Sequence, residues 1–174
     1  MSSPINDVSD TAFWIAYHRA LETARNDALF KDPWAAALAG TRGRRISEAM
    51  PTSGIVAWTV ALRTRIIDEY LASAIESGID TVLNLGAGLD ARPYRLKLPA
   101  SLQWIEADYP HVIEYKESVL RDALPTCRLE RVKIDLADTA ERQALLERVD
   151  ARAQGALILT EGVVPYLPND AVAS

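Results

Sequence analysis

From the ninth residue to Gly78 the apolar positions recur at helical spacing, and beyond Gly78 they gather into short unbroken runs. The first stretch predicts three helices. Ser9 and Asp10 stand as caps for a helix running from Thr11 into the twenties, with Phe13, Tyr17, Ala20 and Leu21 near one face. In "KDPWAAALAG", Pro33 suits a first helical position and Gly40 a stop. From Ser53 to Ser77, Val56, Val60, Ile67, Leu71 and Ile75 keep helical phase, and Gly78 closes the run.

After Gly78, "TVLNL", "LQWIEA", "RLERVKI" and "ALILT" read as buried strands. Helical patterns lie between them: Tyr109 to Ala123, with Val112, Tyr115, Val119 and Leu120 inward, and Thr139 to Ala153, with Leu145, Leu146 and Val149 inward. Successive strands start roughly 20 to 30 residues apart, the length of a βα unit. Runs such as "ALIL" predict parallel strands covered on both faces. The expected fold is α/β, an open doubly wound sheet behind a helical N-terminal cap. The last strand is the most apolar, yet no further strand follows to pair its outer edge. "YLPNDAVAS" offers Asn169 as a cap and then stops far short of the ~12 residues a lone helix needs. The domain is therefore expected to be truncated after the fourth strand, with self-association through the open sheet edge as one consequence.

Composition narrows the class. With 174 residues and 49% apolar content, the chain suffices for one domain with a core. A formal net charge of -5 gives no electrostatic reason for a nucleic-acid partner. Arg42, Arg44 and Arg45 form the one basic cluster, read as a solvated turn in preference to a polyanion site. Cys127 is the sole cysteine and His18 and His111 the only histidines, so neither a disulfide framework nor a metal site is expected. The polar opening "MSSPINDVSD" has no apolar core segment, and no run approaches the ~18 residues that span a bilayer. These features predict a cytoplasmic protein without a membrane partner.

Candidate chemistry sits at the strand ends. In open α/β sheets, ligands bind beyond the carboxyl ends of the strands. Each such end carries an acid here: Asp90 in "GAGLDAR", Asp108 in "EADYP", Asp135 in "KIDLAD" and Glu161 in "TEGVVPYL". Acids at equivalent places suggest a polar cleft for a hydroxylated, amine-bearing molecule. Each residue also has a plainer role. Gly86 and Gly88 serve a tight turn, Asp108 caps the helix at Tyr109 and Pro110, Asp135 caps its own loop, and Glu161 pairs with an N-terminal Arg. Arg63 and Arg65, beside apolar positions of the long helix, read as surface charges. Asp108 follows Gly86 at about the 20-residue spacing of a ribose-binding acid, and "GAGLDA" also fits a permissive dinucleotide pattern. A nicotinamide cofactor thus stays open on spacing alone.

Taken together and in order, "DALFKDPWAAALAG", "RTRIIDEYL", "VLNLGAGLDARPYRL", "WIEADYPHVIEYK", "KIDLAD" and "LTEGVVPYLP" are more specific. The chain resembles the leucine carboxyl methyltransferase-like family, in particular its actinobacterial S-adenosylmethionine-dependent branch. The resemblance implies a class I methyltransferase (Rossmann-like) fold, with residues 1–78 as helical cap and 79–174 as an incomplete cofactor-binding part. It implies S-adenosyl-L-methionine as cofactor, with Gly86 and Gly88 against its methionine part and Asp108 on the ribose hydroxyls. Asp135 and Leu136 would read adenine, Glu161 would face the methionine end, and Arg63 would pair with the cofactor carboxylate. Arg19 is the nearest candidate for a further basic residue. Asp90 and Arg92 fit better as residues shaping the turn than as ligand contacts.

The implied activity is methyl transfer to a carboxylate or hydroxyl of a small molecule. A carboxylate acceptor needs no base, whereas a hydroxyl would want one, with His111 or Tyr166 as candidates; no catalytic residue is assigned. Members of the family continue past the fourth strand with further strands and a substrate-covering segment. A non-catalytic remnant that at most binds the cofactor or self-associates is therefore the alternative.

Overall fold

The computed structural model describes residues 9–50 and 53–167. Three helices come first: α1 (Ser9–Ala24), α2 (Ala35–Ala49) and α3 (Ser53–Glu76). Then follow β1 (Thr81–Leu85), the single turn α4 (Arg92–Arg95), β2 (Gln103–Asp108), α5 (Pro110–Val119), β3 (Arg128–Lys133), α6 (Thr139–Asp150) and β4 (Ala156–Leu159). The strands pair in the order β3-β2-β1-β4, all parallel, with Leu83 opposite both Ile105 and Ile158. This is the doubly wound, Rossmann-like arrangement expected. The chain steps outward from β1 through β2 to β3, then returns to the other side of β1. That reversal opens a crevice at the carboxyl ends of β1 and β4, where a ligand fits without displacing a crossover.

Burial explains why β1 is central. All its residues are buried, with Val82 packed under α3 beside Leu71 and Trp104, and Leu83 and Leu85 under α6 beside Leu145 and Val149. Helices α1 and α2 pack together on a third cluster around Phe13, Leu38 and Leu89. Gly78 takes a left-handed φ of 104° after α3, which ends the helix and turns the chain into β1.

Several expectations change. Ser9 and Asp10 lie inside the first turn of α1, where buried Asp10 pairs with Arg42. Gly40 breaks the helix as expected, with φ 52° and ψ -159°, but helix resumes beyond it and Pro33 stays outside α2. Arg42, Arg44 and Arg45 consequently sit on helix, not in a turn. Arg42 also lies over the Phe13 ring, and Arg44 pairs with Glu48. The fourth strand is not covered on both faces: its residues alternate between exposed and half-buried, and Ile158 is 54% exposed. Asn169, the expected cap, lies outside the described residues.

Two buried polar features were not legible. Lys116, on the inward face of α5, is fully buried with its Nζ 2.7 Å from Glu106 Oε1 on β2, itself fully buried. Arg131 donates to the other Glu106 oxygen at 3.0 Å and to the Tyr94 hydroxyl at 2.6 Å. Cys127 lies nearby, and burial pushes its thiol up to about 11, with the Glu106 charge adding to the shift.

His18, on α1, is 1% exposed, lies against Trp14 and Tyr17, and neither ring nitrogen has a partner among the described residues. Burial lowers its pKa from the ordinary imidazole value. Below about pH 6.5 the unfolded chain takes up a proton that folded His18 refuses, so stability falls as pH falls through that window. Replacing His18 with Phe is expected to flatten the melting temperature between pH 7 and pH 5. An unchanged slope would assign the acid sensitivity elsewhere.

Among the described residues, no helix is long and apolar enough to cross a membrane, and no group of His, Cys, Asp and Glu is placed to hold a metal.

Candidate functional site

The reversal point between β1 and β4 opens into a cavity of ≈ 240 Å³, roofed by α1 and walled by α3. Of the residues expected at a site, Arg63, Gly86, Gly88, Asp108, Leu136 and Glu161 all line it. Asp135 does not. It is exposed, and its carboxylate accepts the Ala137 N–H at 2.9 Å, closing its own loop. Leu136, the next residue, is buried and its carbonyl is anchored by Arg142.

The glycine turn is tied to the end of β2. Gly86 and Ala87 donate their N–H groups to the Ala107 carbonyl at 2.8 and 3.2 Å, and Gly88 donates to Asp108 Oδ2 at 2.6 Å. Three successive N–H groups are thereby occupied inside the protein. A pyrophosphate needs such groups free and a helix N-terminus behind them, whereas α4 is one short turn. The turn suits a close approach by an uncharged chain, not the cradling of phosphates.

Gly86 and Gly88 both adopt left-handed φ, 68° and 47°. A Cβ on Gly86 would stand 2.6 Å from Val163 Cβ and Cγ2, so the residue following the β4 loop closes against this glycine. Gly86→Ala is expected to cost about 1–3 kcal/mol in denaturant unfolding from the left-handed backbone. Adding Val163→Gly, which removes both clashing carbons, should recover only the part owed to the clash, and full recovery would show that backbone conformation contributes nothing.

Asp108 is 9% exposed and holds the Gly88 N–H on one oxygen and the Tyr109 N–H, at 2.7 Å, on the other. Burial pushes its carboxyl above the usual carboxylate value, with these two hydrogen bonds opposing. An ionised carboxylate offers about four acceptor positions, so roughly two stay available toward the cavity.

At the other end, Glu161 accepts from Arg63 Nε and from Arg92 Nη1, each at 2.8 Å. The plainer role of Glu161 as an ion-pair partner is therefore real, and so is its place in the cavity wall. Asp90 and Arg92 do shape the turn, since Asp90 accepts the Arg92 N–H at 2.9 Å and the Asn84 amide at 3.1 Å. They also line the cavity. Burial alone would push the Asp90 carboxyl up, but Arg92, then Lys116, Arg19 and Arg95, outweigh it and hold the carboxyl well below the usual range.

Arg19 lines the cavity too, but its Nε is on Asp32 at 2.9 Å and its Nη2 on the Leu89 carbonyl at 2.5 Å, so it braces the turn. His111 is outside the lining, with Nε2 2.7 Å from Ser9 Oγ and its ring stacked on Tyr109. Tyr166 is in the lining and half exposed. Sequence reasoning passed over Asn84 and Asp68. Asn84 was visible as the one polar residue in "TVLNL", whereas Asp68 looked like any charge on a long helix.

Comparison with known proteins gives this geometry a family. A model of the leucine carboxyl methyltransferase family matches residues 12–174. A protein of Mycobacterium bovis is 37% identical, the match covering 94% of this chain and 58% of its own length. Proteins of Frankia alni and Streptomyces coelicolor are also 37% identical, with 61% and 60% of their lengths covered. All three carry the name "Putative S-adenosyl-L-methionine-dependent methyltransferase". The chain spans about three-fifths of the length of these relatives. By its residues, its sheet order and these matches, the chain belongs to the leucine carboxyl methyltransferase family.

Proposed function

We propose that this chain carries the cofactor-binding part of an S-adenosyl-L-methionine-dependent O-methyltransferase acting on a carboxylate or hydroxyl of a small molecule. The observation that carries the reading is the convergence of a buried acid, Asp108, and an Arg63–Glu161 pair at opposite ends of one cavity beneath an occupied glycine turn. The residues suit the group. Asp108 keeps acceptor positions for a ribose diol, and the Leu136 backbone N–H is available to an adenine nitrogen. Glu161 suits an ammonium and Arg63 a carboxylate. Asp135, turned to its own loop, contributes by holding that loop. When bound, the sulfonium supplies an electrophilic methyl group.

The chain's own part is to orient and to exclude water. The division into a cap, residues 1–78, and a cofactor-binding part, residues 79–174, belongs to this reading. So does a cytoplasmic location with a small-molecule partner and no nucleic acid or membrane. A carboxylate acceptor is ionised at pH 7 and needs no base; Tyr166 is the residue within the lining that would serve a hydroxyl. Titration calorimetry with S-adenosylhomocysteine is the direct test, and absence of binding by folded protein would sink the assignment.

Self-association through the β4 edge, which no strand among the described residues pairs, is part of the same proposal. It is supported by Ile158 at 54% exposure and by an apolar stripe on α3, with Ile55 and Tyr70 more than 70% exposed. Sedimentation of Ile158→Lys should show a lower association constant than the parent. Identical monomeric profiles for both would remove self-association from the reading.

A further inference from the structure

We infer that the Arg63–Glu161 ion pair stands in the free protein for the zwitterionic amino-acid end of its ligand, and that Arg92 is the positioning residue that keeps Glu161 in place when Arg63 leaves it. The inference rests on the reading above that the cavity takes a sulfonium nucleoside and its thioether product.

The two arginines on Glu161 differ in kind. Arg63 reaches it with Nε alone, from a side chain 38% exposed, and its Nη groups have no partner among the described residues. A pair that open to water is weak and easily exchanged. Arg92 has a side chain 3% exposed and holds three carboxylates at 2.8 Å: Asp68 through Nε, and Asp90 and Glu161 through Nη1. Asp68 is fixed in turn by both Nη groups of Arg95 at 2.7 and 2.8 Å. Arg92 is thus built into the protein from α3, the turn after β1 and the loop after β4, while Arg63 is a movable arm.

The charges around the cavity already balance in the free state. Inserting an ammonium and a carboxylate between Glu161 and Arg63 adds no net charge. Glu161 then accepts from the ammonium, and Arg63 turns its free Nη fork to the carboxylate, the geometry that suits a planar guanidinium. Nothing else in the cluster has to change partner. Without Arg92, Glu161 would follow Arg63 or swing to solvent, since no other cation holds it among the described residues.

The experiment compares two ligands by calorimetry: S-adenosylhomocysteine, with the zwitterion, and 5′-methylthioadenosine, which keeps the nucleoside and lacks both charges. The parent should prefer S-adenosylhomocysteine by roughly 100-fold, about a tenfold factor for each charge-assisted contact. Arg92→Lys should keep its affinity for 5′-methylthioadenosine while the preference falls to a few-fold or less. A parent-like preference in that variant overturns the role of Arg92.

Arg63→Gln supplies the control should Arg92→Lys fail to fold, because Arg63 is half exposed. It should lose the carboxylate contact only and keep a preference of about tenfold through Glu161, still held by Arg92. A preference of one in Arg63→Gln would mean that Arg92 does not hold Glu161, and would overturn the inference. If the folded parent binds neither ligand, the cofactor reading itself fails, a result distinct from either of these.

Discussion

Asp108→Ala is expected to weaken S-adenosylhomocysteine binding by at least about 100-fold while leaving the protein folded. Two hydrogen bonds from a diol to an ionised, buried carboxylate are worth about 1.5–3 kcal/mol each, so losing both exceeds two decades in affinity. The substitution also releases the Gly88 and Tyr109 N–H groups, which Asp108 holds at 2.6 and 2.7 Å. Asp108→Asn separates these effects. Its amide oxygen can keep one backbone donor, but it brings a donor of its own toward the hydroxyls, and an intermediate loss is expected.

The pH dependence carries a second signature. Burial raises the Asp108 carboxyl above the ordinary value of about 3.9, so affinity should begin to fall as pH drops toward that raised value, sooner than for an exposed acid. Asp108→Ala should lack that limb. Calorimetry across the acid range checks both, and a variant binding as tightly as the parent would refute the role of Asp108.

Glu106→Gln is expected to destabilise the fold by about 3–5 kcal/mol, because it removes the carboxylate paired with the Lys116 ammonium at 2.7 Å in a fully buried place. For a domain of this size that is a fall of about 6–20 °C in melting temperature. Arg131 would also lose its 3.0 Å partner but is less enclosed and retains the Tyr94 hydroxyl. The companion variant Glu106→Gln/Lys116→Met removes the stranded charge along with its partner. It should recover most of the loss, since replacing both members of a buried pair is far milder than orphaning one. If the single variant melts with the parent, Lys116 has another route to solvent or a partner. Thermal unfolding followed by circular dichroism decides it.

The two central strands were legible in the chain because parallel strands buried between layers need apolar runs. By contrast β3 and β4, half-buried at the sheet margins, were legible as strands but not in their exposure. "TVLNL" became β1, and the other three runs differ from their strands by a residue at most at either end. Helix ends were less so. Nothing local distinguishes Asp10 as a cap from Asp10 as the partner of Arg42, a residue far along the chain. Lys116 was invisible for the same reason. A lysine one position from the apolar stripe of α5 reads as solvated unless one knows that Glu106 on β2 faces it.

The site divided along similar lines. Residue types at strand ends pointed to the cavity, and Gly86, Gly88, Asp90, Asp108 and Glu161 line it, as does Leu136, which only the family resemblance had named. Spacing could not separate a dinucleotide from a sulfonium nucleoside. The ordered family motifs favoured the latter, and the turn's N–H groups agree, since they are spent on Ala107 and Asp108 and so are not presented to a phosphate.

By itself, then, the sequence determined the order of helices and strands, the acids at the strand ends and the family, since these depend on residue types at short separations. Only the tertiary structure decided which charges meet. Arg63 on α3, Arg92 after β1 and Glu161 after β4 converge because β4 returns beside β1 under α3, and electrostatic partnership depends on that distance in space. The same folding turned Asp135 away to its own loop and set Arg92, a residue expected to shape a turn, at the centre of the charged cluster.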